Sequence, residues 1–258
     1  MIGFWLELPV WAMLLVLVAV YGATAAAIFW FCHHSPARHW VAHYRGIVVG
    51  FFGAVSVLFA LLYGFVAGDV WHRNADATRL VRAEADSLFA LSEISAAAGS
   101  DAASLNALIL AYAQSVVGEE WPLMVEGESS PRVEGALGKL LGTILGGDTQ
   151  AVDPAVRRAL VDTVLKLRAL RSDRLALAGD TTDSLQWAAL LILALLTQVA
   201  IASVQLEKPR PQAAALTIFT VAAVIAMGLV AVEERPFAPP AQVSTAPLDA
   251  VIKFIPAK

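Results

Sequence analysis

The sequence predicts an all-α polytopic membrane protein. It should have four transmembrane helices and an extracytoplasmic helical domain inserted between helices 2 and 3. Three observations carry this reading. The chain is 58% hydrophobic and only 16% charged, where a soluble domain averages about 25% charged residues. Four apolar runs, at 10–31, 47–71, 185–206 and 213–232, are each long enough to cross a hydrocarbon core of about 30 Å. Leucines across 72–184 recur at helical steps of three and four, and no stretch alternates with a period of two.

The first run, 10–31, is preceded by Glu7 and by no Lys or Arg. A signal peptide carries a positive segment ahead of its apolar core, so this run reads as a retained anchor. The second run, 47–71, has a single charge, Asp69. Lipid offers no partner to a backbone N–H or C=O, so a spanning segment must be a helix. Gly50, Gly53, Ala54, Ala60, Gly64 and Gly68 fall at or near four-residue steps. Small residues so placed form a stripe that another helix can approach closely. The third and fourth runs, 185–206 and 213–232, are joined by Glu207-Lys208-Pro209-Arg210-Pro211, whose prolines argue against continuous helix.

Four crossings put the N-terminus, residues 72–184 and the tail from 233 on one side. The two short loops hold Arg38, Arg45, Lys208, Arg210 and four histidines against one acid. Short basic loops stay in the cytoplasm, so the large domain and both termini are expected outside it. Arg73 and Arg235 at outer membrane ends run against that bias.

The domain at 72–184 carries 11 Lys/Arg and 16 Asp/Glu and no cysteine. It reads as helices: 74–97, continuing the second span outward, then one following Asp101, one starting at Ser130-Pro131 and ending at Gly146-Gly147, and one starting at Asp153-Pro154 and stopping at Gly179. The tail, 233–258, has five prolines and is expected to be extended, with a short helix near 248–254.

Cys32 is the lone cysteine, so neither an intrachain disulfide nor a multi-thiolate metal site is possible. The net charge of −4 gives no case for nucleic-acid binding. No phosphate-binding glycine loop, HExxH or nucleophile elbow occurs, so no enzyme activity and no cofactor is expected.

Several residues stand out. Glu84 lies on an otherwise apolar stripe, where an unpaired charge costs several kcal/mol. Arg171 and Arg174 are three apart on one helix and can fork onto carboxylates such as Glu119 or Glu120. Such a set is either a clamp between helices or a place for ion passage or ligand binding. Within the spans, Ser56, Asp69, Thr197, Gln198, Thr217 and Thr220 either pack helices together or line a pore. His39 and His43, four apart, suit two metal ligands on a helix face, although no acid stands nearby to orient them. The loop's histidines are otherwise a titratable cationic surface facing lipid. Tryptophans 5, 11, 30, 40, 71 and 187 read as an interfacial belt.

A set of short motifs runs in order along nearly the whole chain. It comprises Leu8-Pro9-x-Trp11, the 53–60 run through Val70-Trp71, Glu84-Ala85, Tyr112, Glu119-Glu120-Trp121-Pro122-x-Met124, Arg171-x-x-Arg174-Leu175, Arg235-Pro236-Phe237, Val243-Ser244 and Pro247-Leu248. In order and spacing the chain resembles the bestrophin-like domain family of bacterial multi-pass membrane proteins. The chain departs from that pattern at Ala238-Pro239-Pro240, where the family has Gly after Pro-Phe, and in its histidine-rich first loop. The resemblance implies a place in the bacterial inner membrane and kinship with bestrophins, which are pentameric anion channels. It points to a homo-oligomeric ion channel, for a small inorganic anion, among membrane lipids. The rival is a non-conducting protein whose outer domain binds a periplasmic partner or ligand.

Overall fold

The computed structural model describes residues 2–6, 8–36, 49–97, 102–146 and 153–255. Every regular element among them is helical. In chain order these are α1 (Ile2–Leu6), α2 (Val10–His33), α3 (Val49–Ala97) and α4 (Ala102–Ser115). A π-helical turn (Val116–Glu120) follows, then α5 (Trp121–Met124), α6 (Pro131–Leu145), α7 (Pro154–Gly179), α8 (Ser184–Val204), α9 (Pro209–Val232) and α10 (Ala246–Phe254). Four of these helices, α2, α3, α8 and α9, are long and apolar enough to cross a membrane.

The chain divides into two compact units. One comprises Met1–Trp71 with Thr181–Glu234, the other His72–Asp180 with Arg235–Lys258. Helix α3, 49 residues and about 74 Å long, contributes to both without a break.

In the first unit, α2 packs along α9, and α8 lies against both. The α2–α9 approach is close because of Gly228: a Cβ there would meet Leu14 Cδ2 at 2.5 Å. The core is built from Met13, Leu17 and Tyr21 of α2, Trp187 and Leu190 of α8, and Met227 of α9. Among the described residues α3 joins through one face. Phe59 lies 5.9 Å from Phe219, Tyr63 donates to the Ala226 carbonyl at 3.2 Å, and Val66, Ala67 and Val70 are buried. These positions advance by three or four, which is a single helical stripe.

The small-residue stripe of α3 behaves otherwise than expected within one chain. A Cβ at Gly53, Gly64 or Gly68 would meet nothing within 4 Å. Val57, Leu58, Leu61 and Phe65, the last 72% exposed, lie on the same uncovered side. The described helices of this chain meet α3 through its aromatic face and leave the small-residue face open.

One other expectation is corrected. Trp5 and Trp187 are not belt residues: α1 brings Trp5 onto α8, their rings meet edge to face at 5.5 Å, and both are buried. Trp11, Trp30 and Trp71 are exposed, and Trp40 lies outside the described residues. The connection at 205–208 is non-helical, as its prolines imply, but Pro209 and Pro211 lie inside the following helix rather than in the loop. They sit in the first turn of α9, where a missing N–H leaves no bond unmade.

The second unit buries a continuous apolar core, with Val81 and Leu88 of α3, Ile109 and Tyr112 of α4, Leu140 of α6 and Leu167 of α7 at its centre. Asp153 caps α7 through the Ala155 amide at 2.7 Å, with Pro154 at its first turn. The tail closes on this core through Phe237, Val243, Leu248 and Val251. Its turn is held by the Val243 amide donating to the Pro236 carbonyl at 2.7 Å.

Candidate functional site

The second unit places a network of charges at its centre. Glu84 comes from α3, Glu120 from the last position of the π-helical turn, and Arg171 and Arg174 from α7. Glu84, Glu120 and Arg174 are 0% exposed. Each sits where the helix period puts an apolar residue, so burial of the neighbouring leucines forces burial of the charge.

Arg174 acts as a fork. Its Nε donates to Glu84 Oε2 at 2.7 Å, and its Nη2 donates to Glu84 Oε1 at 3.2 Å and to Glu120 Oε1 at 2.8 Å. Nη1 faces the Met124 sulfur. The guanidinium carbon stands 5.8 Å from the Trp121 ring centre, and that ring meets Phe237 edge to face at 5.4 Å. Arg171 donates from Nη2 to Glu120 Oε2 at 2.6 Å and to the Ser130 carbonyl at 3.3 Å, and from Nη1 to Glu134. Glu120 also accepts from the Ser130 amide at 3.2 Å, and Tyr112 donates to Glu84 Oε1 at 2.6 Å. Two buried carboxylates face two buried guanidiniums, and each charge is compensated on the spot. Glu119, the neighbour of Glu120, points the other way and pairs with Arg132 at the surface.

Adjacent residues on a helix project about 100° apart, so Glu120 faces the core while Glu119 faces the surface. The extra residue in the π-helical turn shifts the register just ahead of Trp121. Nothing in the residue types at 116–120 announces this turn.

The polar residues of the spans are placed differently. Gln198 is fully buried. Its Nε2 donates to the Tyr21 carbonyl at 3.0 Å and to Thr220 Oγ1 at 2.9 Å, while its Oε1 accepts from Thr24 at 2.8 Å. The amide ties α2, α8 and α9 together inside one chain. Ser56, Thr197 and Thr217 each bond to the carbonyl four residues back on their own helix. Asp69 is exposed. Gln212, not singled out from the sequence, is buried and bridges His33 of α2 (2.6 Å) to the Ala202 carbonyl of α8 (2.8 Å). Glu234 is buried and accepts from the Thr182 amide and hydroxyl, which fixes the entry to α8. His39 and His43 lie outside the described residues. Among the described residues no three His, Cys, Asp or Glu are grouped to hold a metal.

The sequence matches the Bestrophin-like domain over residues 19–248. The chain belongs to the bestrophin-like domain family. All members of the charge network fall within the matched stretch. In fold the chain is similar to a crystal structure of a membrane protein carrying a proline-to-alanine change. That likeness has a TM-score of 0.74 at 10% identity, over 93% of this chain and 96% of that one. It is also similar to crystal structures of a bacterial bestrophin homolog from Klebsiella pneumoniae. A tryptophan-to-alanine form gives a TM-score of 0.72 at 13% identity, over 96% of each chain. A leucine-to-threonine form gives 0.72 at 12%, over 93% of this chain and 96% of that one. No curated protein matches the sequence.

In this bestrophin-like unit the network also fixes protonation. Burial alone would raise the Glu120 carboxyl, but the hydrogen bond from Arg171 and the charges of Arg174 and Arg171 outweigh it and hold it below the usual range. Burial, and then the Glu84 charge, push the Tyr112 phenol well above its ordinary value. Glu120 is lowered on folding, so its stabilisation is full above the unfolded carboxylate value of about 4.3 and is lost as the pH falls below it. Tyr112 is raised, so its contribution is full below about 10 and is lost above. Thermal melting of the purified protein should therefore be flat in these two terms from about pH 5 to pH 9 and fall at both extremes. A melting temperature that rises on acidification below pH 4 would contradict the assignment.

Gln198→Leu provides a second test. It removes three hydrogen bonds worth about 0.6 kcal/mol each within a membrane, and so lowers stability by about 2 kcal/mol. If Gln198 only packs helices, ion selectivity in the Gln198→Leu protein stays at the wild-type value. A shifted reversal potential would place the amide in a passage instead.

Proposed function

We propose that the protein is a homo-oligomeric, anion-conducting channel of the bacterial inner membrane, with its pathway formed between copies of the chain. The observation that carries this is the open face of α3. The polar groups of α2, α8 and α9 are turned onto one another, and α3 keeps Ala54, Val57, Leu61, Gly64 and Phe65 uncovered over three turns. A single-chain pathway would need the reverse arrangement, with polar groups facing a gap inside one bundle. The first two spans are buried along 17% of their most apolar stretch, the last two along 44% and 39%. The surface for further copies is therefore taken to be the open face of α3.

Family membership supports the channel reading, and the resemblance to bestrophins supports anion selectivity and a pentamer. The basic loops at 33–46 and 207–210 support a cytoplasmic location for the short connections. The helical unit and both termini then lie outside the cytoplasm, which thiol labelling of single introduced cysteines in intact cells tests directly. The role is conduction rather than catalysis. Cryo-EM of the solubilised protein should show a closed ring with α3 around its axis, whereas a monomer sealed by detergent on all sides would end the proposal.

A second reading has its own observation. A cleft of about 630 Å³ between α4 and α6 is lined by Gln114, Glu119, Arg132 and Lys139, a size suited to a small ligand or a partner's side chains. In this reading the helical unit binds a periplasmic partner or ligand and the spans only anchor it. Reproducible capture of one partner from membranes, with no current in bilayers, would favour it.

A further inference from the structure

The outer surface between α2 and α9 carries a groove of about 310 Å³. Gly22, Ala25 and Phe29 line one wall, and Ala213, Leu216 and Val221 line the other. The two helices run antiparallel here, because His33 at the end of α2 meets Gln212 near the start of α9. Phe29 and Ala213 therefore mark the end near the membrane surface, and Gly22 and Val221 the deep end. From Ala213 to Val221 the groove extends about 12 Å into the span. The two threonine hydroxyls beside it do not make it polar: Thr217 bonds to the Ala213 carbonyl and Thr220 accepts from Gln198.

The surface end of the groove is cationic. Arg210 lies one turn before Ala213 in α9, and Lys208 immediately precedes the helix. Both are exposed, and neither has an ion-pair partner among the described residues. Glu207, also exposed, offsets one of the two charges. His33 is held by Gln212 and His34 is exposed beside it. An apolar slot on the surface of the spans, with a net positive charge at its mouth, matches one molecular class: an amphiphile with an anionic head and an alkyl chain.

We propose that this groove is a site for one anionic phospholipid per protomer, with an acyl chain between α2 and α9 and its phosphate against Lys208 and Arg210. The slot supplies contact area for the chain, and the two cations supply headgroup discrimination. The site is independent of conduction, so a silent protein would still retain the lipid.

The test is native mass spectrometry of the purified full-length protein after exposure to an equimolar mixture of phosphatidylglycerol and phosphatidylcholine. The wild type should retain one phosphatidylglycerol per protomer, in about fivefold excess over phosphatidylcholine, the discrimination one net positive charge near a lipid surface can give. Lys208→Gln with Arg210→Gln should abolish that excess and leave total retention nearly unchanged. Gly22→Leu, whose Cβ meets nothing within 4 Å, fills the slot and should remove both lipids. Ala26→Leu, at an exposed lining position, is the second filling variant should Gly22→Leu fail to fold. Equal retention of the two lipids by the wild type, or undiminished retention by a folded filling variant, would overturn the proposal. So would disulfide cross-linking of protomers through Ala26→Cys in a Cys32→Ser background, since a second copy would then occupy the groove.

Discussion

Arg174→Met will destabilise the helical unit by about 3–5 kcal/mol, the cost of leaving buried carboxylates without their counter-charge. Arg174 alone reaches both Glu84 and Glu120. Methionine fills much of the volume and supplies no donor. Glu84 would keep only the Tyr112 hydroxyl, while Glu120 would keep Arg171 and the Ser130 amide. Domain stabilities are about 5–15 kcal/mol, so the variant should melt far earlier or fail to accumulate. Adding Glu84→Gln to Arg174→Met removes the stranded charge and should recover a substantial part of the loss. Arg174→Lys should not, because an ammonium cannot span two carboxylates as a planar fork does. An Arg174→Met protein that unfolds at the same denaturant concentration as the wild type would show that the network does not hold the unit together.

Phe237→Ala will cost about 3–5 kcal/mol, as loss of a buried aromatic ring from a packed core does. Phe237 is 2% exposed and stands edge-on to Trp121, the ring beneath Arg174. It is the first apolar anchor of the tail, ahead of Val243, Leu248 and Val251. Its loss therefore acts in two places, loosening the tail and removing the support of the Trp121 ring. Limited trypsin digestion should cut the Phe237→Ala tail at Lys253 much faster than the wild-type tail. Equal protection would mean that the tail is held by α10 alone.

Helix type was legible in the sequence because apolar runs and leucine spacing are local signals. So was the pairing of these charges, since Glu84, Arg171 and Arg174 each occupy an apolar register position on their own helix, and a buried charge needs a partner. Which carboxylate met which guanidinium was not legible. Glu119 and Glu120 are chemically identical neighbours, and only the packing of their helix against the core decides that Glu120 faces inward. The same limit applied to Trp5 and Trp187. Tryptophan near a span end suits a membrane interface, and only the fold-back of α1 shows that these two rings bury each other. Gln198 carried a genuine ambiguity, because an amide in a span satisfies itself equally well across helices or in a wet passage. Three hydrogen bonds within one chain place it across helices. The small-residue stripe of α3 promised a close neighbour, and among the described residues no helix of the same chain takes that place.

That open face makes conduction between copies the central claim, and current from the purified protein in a planar bilayer under a potassium chloride gradient tests it most directly. The account predicts discrete currents that reverse near the chloride equilibrium potential. Correctly folded, oligomeric protein that stays silent across voltage and across pH 5 to 9, or current that reverses at the potassium potential, would contradict it.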